Sequence, residues 1–132
     1  MAKRNVVRLD VGVMKFTVIG ISSHENDYRL SWSINEQLGL AFAHDDNVVT
    51  RDGKEFSCFV HEDDNQTLLL ISNRCDNGFL LEKFKNIDFI LKFDAELNET
   101  ETTAWLRDLK NVPLVSAAFT IPANKQVLQV LG

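Results

Sequence analysis

The stretch AFAHDDNVVTRDGKEFSCFVHEDDNQTLLLISNRC, residues 41–75, is punctuated by turns. Asp52-Gly53 is the dipeptide of a two-residue type I′ hairpin, whose twist matches that of the strands it joins. It separates a segment ending at Arg51 from one beginning at Lys54. Asp64-Asn65 supplies a second turn, and Asn77-Gly78 a third, with the positive φ that such a dipeptide favours. Leu68, Leu69, Leu70 and Ile71 are apolar without alternation, which requires cover on both faces and a place in the middle of a sheet. The stretch reads as an antiparallel meander.

Downstream, Ile87, Phe89, Leu91 and Phe93 alternate with Asp88, Ile90, Lys92 and Asp94, a strand with one strongly apolar face. Asn98 and Glu101 stand at capping-box spacing before a helix running to about Lys110, with Trp105, Leu106 and Leu109 on its buried side and Pro113 soon after its end. Val115, Ala117, Phe119 and Ile121 alternate as a last strand, although Ser116 to Ala118 also fits a helix, and the tail from Pro122 to Gly132 carries no assignment. Upstream, Val6, Val7 and Leu9 and then Phe16, Val18 and Ile19 read as two strands, with Asp10–Gly12 as the turn of a hairpin.

Residues 28–38 fit two templates. Tyr28, Leu30, Trp32 and Ile34 alternate as a strand would, yet Leu30, Ile34 and Leu38 recur at helical spacing. Flanking residues decide for a helix from about His24 to Leu38: Ser22 and Glu25 have capping-box spacing, and Gly39 stands where a C-cap glycine belongs. On the helical wheel Tyr28 and Trp32 lie about 80° beyond the Leu30/Ile34/Leu38 stripe. They either widen the core face or meet a partner, where Tyr and Trp are favoured anchors. The order β-β-α-β-β-β-β-α-β predicts one α+β domain over residues 1–132, two-layered. Two helices lie on one face of a largely antiparallel sheet of about six to seven strands.

The chain carries 14 Lys and Arg against 19 Asp and Glu, a net charge of −5. That balance argues against a nucleic-acid partner, and Lys3, Arg4 and Arg8 are too few to change it. The N-terminal residues lack the apolar core of a signal peptide, and no apolar run suits a membrane partner. Two cysteines, Cys58 and Cys75, imply no disulfide framework, so free thiols and a cytoplasmic location are expected. No cofactor is implied: there is neither GxGxxG nor GxxxxGK, and Asp63-Asp64-Asn65 lacks the glycine and glutamate of a calcium loop.

Two constellations invite chemistry. A two-residue turn at Asp52-Gly53 sets His44 opposite His61, with Asp46 and Asp63 nearby, a donor set that suits zinc. One residue more in the turn would carry His61 to the other face, and solvated strand-end histidines are the commoner case. Cys58, between Phe56 and Val60, reads as a small buried hydrophobe and Cys75 as the more exposed thiol. The turn at Asp64-Asn65 sets Cys58 against Ile71, so the thiols do not meet. Ser22, Ser23 and His24 form no triad, and no residue is assigned a catalytic role.

Three blocks carry a resemblance: Gly20-Ile21-Ser22-Ser23-His24 with Asp27-Tyr28-Arg29-Leu30 and Trp32; Ile71-Ser72-Asn73-Arg74 with Asn77-Gly78-Phe79-Leu80; and Lys110-Asn111-Val112-Pro113-Leu114. Together they resemble the IPExxVD family of small bacterial proteins across residues 20 to about 121. Leu81-Glu82-Lys83 stands where that family's Ile-Pro-Glu would be, and Ile87-Asp88 where its Val-Asp would be. The resemblance implies no particular activity, but it marks Arg29, Trp32, Asn73, Arg74 and Asn77. Arg29 is placed to pair with Glu25 four residues earlier, and Asn73 and Arg74 either satisfy loop backbone or line a binding edge.

The expected function is association rather than catalysis. It would form a homodimer, or bind another protein, through a sheet edge or the face carrying Tyr28, Arg29 and Trp32. The alternative is a small-molecule or metal-binding protein, with or without enzymatic activity. It would use Asn73, Arg74 and Asn77, an Arg29/Arg74 anion clamp, or His44, His61 and Asp46.

Overall fold

The unalternating run Leu68–Ile71 lies inside a sheet covered on both sides. In a computed structural model that describes residues 16–122 and 124–132, it belongs to β4 (Thr67–Ser72), with Leu68 and Leu70 in one apolar cluster and Ile71 in another. The other strands are β1 (Thr17–Ser22), β2 (Ala43–Val49), β3 (Glu55–Glu62), β5 (Arg74–Cys75), β6 (Gly78–Phe79), β7 (Phe89–Phe93) and β8 (Ala117–Thr120). The helices are α1 (Asp27–Leu38), α2 (Glu99–Lys110) and α3 (Lys125–Leu131). Six strands form one antiparallel sheet in the order β2-β3-β4-β7-β1-β8, and β5 and β6 form a separate ribbon. The protein is an α+β fold. Among the described residues no helix is long and apolar enough to cross a membrane.

The period-2 pattern of each strand sends alternate side chains to two cores. Ile19, Ile21, Phe59, Leu68, Leu70, Leu91 and Phe93 pack with Leu30 and Ile34 of α1 and Leu109 of α2. Val18, Phe56, Cys58, Ile71 and Ile90 pack with Leu81, Ile87 and, from α3, Val127 and Leu131. Each fully buried Leu or Ile contributes about 2 kcal/mol by leaving water, so both faces hold the sheet. The unassigned tail thus supplies a third helix, capped by Asn124, whose side chain accepts from the Val127 N–H.

Several expectations are corrected. β1 pairs with β7 along Thr17–Ile21 and with β8 along Ile19–Ser22. The Val6–Leu9 strand and the Lys3, Arg4 and Arg8 cluster lie outside the described residues. α1 begins three residues after His24: Asn26, whose side chain accepts from the Arg29 N–H, is its N-cap. Ser22 cannot cap it because Ser22 is held in β1, opposite Ala117. The C-terminal glycine behaves as read, Gly39 having φ 67°. α2 carries the expected Asn98/Glu101 capping box and ends at Lys110.

The β2–β3 hairpin turns over three residues, Arg51–Gly53, with Thr50 and Lys54 joined by a backbone hydrogen bond. Gly53, at φ 85°, takes the left-handed position that such loops reserve for glycine. A second register shift falls between Asp45 and Val48. At the β5–β6 turn, Cys75 pairs with Gly78, so Asp76 and Asn77 are the loop residues and Gly78 does not have positive φ.

Candidate functional site

The two register shifts dissolve the expected metal site. His44 lies opposite Phe59 rather than His61, and Asp46 falls in the irregular stretch between Asp45 and Val48. His61 is buried, and both of its ring nitrogens are engaged: Nδ1 accepts from the Ala41 N–H at 3.0 Å, and Nε2 lies 2.9 Å from Asp63 Oδ2. A backbone N–H only donates, so Nδ1 carries no proton and the Nε2–H donates to Asp63. That bond, with backbone N–H groups of Asn65 and Gln66, holds the Asp63 carboxyl below its ordinary range. His61 is therefore a tie between β3 and the segment entering β2. Among the described residues no group of three or more His, Cys, Asp and Glu is placed to hold a metal.

Asn73 is likewise spent on structure. It is fully buried; its amide donates to the carbonyls of Phe84 and Ile87, and its oxygen accepts from the Leu81 N–H. One side chain thus pins the segment that covers the second core. Arg74 beside it donates from Nε to Asp88 Oδ1 at 2.7 Å and from Nη2 to the Lys85 carbonyl, and its guanidinium lies 5.2 Å from the Phe79 ring centre. Asp88 Oδ2 accepts from the Ser23 N–H, which links three strand ends. Asn77 accepts from the Cys75 thiol.

Arg74 also lines an open polar cleft of about 480 Å³ with Ser23, His24, Asp27, Ser72 and Asp88. A neighbouring one of about 490 Å³ shares Asp27, Ser72 and Arg74 and adds Lys54, Ser57, Cys75 and Asn77. Arg29 lines neither, so the expected Arg29/Arg74 clamp is not assembled. Its Nε lies 2.9 Å from Glu25 Oε1, the i, i+4 pair expected of it. The arginine and the lysine lining the two clefts each face a carboxylate: Arg74 faces Asp88, and Lys54 faces Asp52, whose carboxyl is lowered to about 2 by hydrogen bonds from Lys54 and Thr50.

Both cysteines are free. Cys58 lies opposite Ile71 as expected, and burial pushes its thiol up to about 11. It is an inert core group at neutral pH.

The remaining surface belongs to α1. Leu30 and Ile34 are buried, and the opposite side of the helix exposes Tyr28 and Trp32, each at 63%. Tyr28 leans toward the sheet's edge: its ring stacks on His44 of β2 at 6.1 Å and meets Phe59 edge-on at 5.3 Å. Trp32, one turn on, is the larger aromatic and has no such ring partner among the described residues. Beside them β2 is, among the described residues, an edge strand of the sheet, with Asp45 and Asp46 exposed along it. The aromatic face and this edge are contiguous, joined by the Tyr28–His44 stack.

Sequence reading passed over Asp88, Asn35 and the structural use of His61. Asn35 brackets Phe42, donating to its carbonyl and accepting from its N–H. The only local signal was a polar residue next to Ile34 on the helix. A scan against protein-family models and a search of curated proteins return no match for this chain.

Proposed function

We propose that the protein acts by association, through the solvent face of α1, with a second copy of itself as the partner. The observation that carries this reading is the 63% exposure of Trp32. Tryptophan is the residue most enriched at the energetic centres of interfaces, and leaving it in water forfeits its apolar area. The use of Asn73 and His61 on internal partners supports a non-enzymatic role, and free thiols fit a reducing, cytoplasmic setting. Kinship with the IPExxVD proteins belongs to the same proposal. Its blocks supply Asn73, Arg74 and Ser23, and Ile87-Asp88 stands at its Val-Asp position; Arg74 and Ser23 both bind Asp88.

The test is the mass of the native protein across a concentration series, by sedimentation or native mass spectrometry. A dimer that dissociates on Trp32→Ala is expected; a monomer throughout overturns the reading. The second reading, a small polar ligand, rests on the paired clefts around Arg74. A retained small molecule in the native mass spectrum, lost on Arg74→Ala, would favour it.

A further inference from the structure

Three exposed residues of α1 recur on one line. At 100° per residue Arg29, Trp32 and Glu36 fall within about 60° of one another, opposite the buried Leu30/Ile34 stripe. Along the axis they read positive, aromatic, negative, with the two charges two turns apart. A pattern of that kind is complementary to its own reverse. If two such helices lie antiparallel about a two-fold axis passing between positions 32 and 33, Arg29 and Glu36 sit about 5 Å on either side of that axis. Arg29 of each copy then faces Glu36 of the other, and the two Trp32 rings meet near the centre.

We infer that two copies of this chain associate through antiparallel α1 helices, with two reciprocal Arg29–Glu36 pairs flanking the Trp32 rings. The inference rests on the association reading above and adds the register of the contact. Three features support the second copy as occupant. The stripe carries one charge of each sign at positions related by the two-fold, as an isologous interface requires. Among the described residues Arg29 is paired with Glu25 alone, and since Arg29 is exposed and Glu25 only partly covered, it can turn to a second carboxylate without leaving a fully buried charge unpaired. Tyr28, against His44, widens the apolar strip along its length without blocking it. The competing route, pairing of two β2 edges, sets Asp45 and Asp46 of one copy near those of the other, where like charges repel. A contact one helix long, about 18 Å, belongs to the small class of interfaces, so the dimer is weak and concentration-dependent.

Charge exchange tests this in the full chain. Arg29→Glu alone and Glu36→Arg alone each place like charges across the axis twice, and each is expected to weaken the dimer by about 10-fold or more in sedimentation equilibrium. The double variant R29E/E36R restores the pattern in reverse and is expected to recover affinity to within about 3-fold of the parent. Circular dichroism of each variant checks that α1 is intact. If the singles bind as tightly as the parent, or the double fails to recover while Trp32→Ala still dissociates the dimer, the register is overturned and association stands. A monomer up to about 1 mM in the parent protein overturns both.

Discussion

Helices α1 and α2 are twelve residues each, start on an asparagine cap and pack on the same face of the sheet. They treat their tryptophans in opposite ways. Trp105 of α2 lies edge-on to Phe93 with ring centres 5.0 Å apart and packs against the first core. Trp32 of α1 faces water. The core needs one of the two, and the other is free for a different use, which is why the functional reading attaches to α1. Removing each ring should separate the roles most sharply. Trp105→Ala is expected to cost about 2–3 kcal/mol in urea unfolding, the usual size for a partly buried aromatic. Trp32→Ala, measured on the monomer, is expected to stay within about 0.5 kcal/mol. Equal losses would mean that the two helices do not differ in this way.

The helices also leave the sheet face differently. α2 closes with backbone bonds, Asn111 N–H to Asp108 and Val112 N–H to Leu109. α1 closes with backbone bonds as well, from the Gly39 and Leu40 N–H groups to Asn35, but the segment after it is held in addition by side chains: Asn35 brackets Phe42, and His61 accepts from Ala41. His61→Leu should therefore remove two hydrogen bonds, the one from the Ala41 N–H and the one to Asp63, and cost about 2 kcal/mol. Hydrogen exchange should rise first at Ala41 and along β2, with α2 unchanged. Uniform loss of protection would instead show that β2 and α2 open together.

A smaller contrast lies at the starts. In α2, Asn98 accepts from the Glu101 N–H while Glu101 accepts from the Asn98 N–H; in α1, Asn26 makes only the forward bond. Thermal unfolding should show Asn98→Ala losing about 1.5 kcal/mol and Asn26→Ala about 1.

The same contrast explains what could be read from sequence. α2 was legible because its signals are local: the cap, the Trp105/Leu109 face and the stop all lie within fifteen residues of one another. β4 was legible because burial on both faces removes alternation. The start of α1 was not, since Ser22 has the spacing of a cap but its backbone is claimed by β8, a partner 95 residues away in sequence. The hairpin failed twice by one residue: a glycine in the left-handed region serves a two- or a three-residue loop equally well, and the further shift between Asp45 and Val48 has no sequence signal, so together they moved His44 from opposite His61 to opposite Phe59. Arg29–Glu25 was readable as an i, i+4 pair. The Ser23–Asp88 and Arg74–Asp88 bonds were not, because the first joins residues 65 positions apart and the second 14.

Acid gives the finest test of the side-chain tie behind α1. The His61 Nε2–H donates to Asp63, and that bond leads the causes that lower the Asp63 carboxyl from its ordinary 3.8. A carboxyl lowered in the folded state takes up its proton first in the unfolded chain as pH falls. Its stabilising contribution is thus complete above about pH 4 and is lost as pH falls through the folded value. Asp63→Asn keeps the shape but has no carboxylate to lose. The difference between the urea midpoints of parent and variant should be widest near pH 5 and should close below about pH 4. The effect is small, because the carboxylate is exposed and screened. A difference that stayed constant down to pH 2.5 would show that Asp63 acts only through its backbone turn with Asn65 and Gln66, and that the histidine holds Ala41 without it.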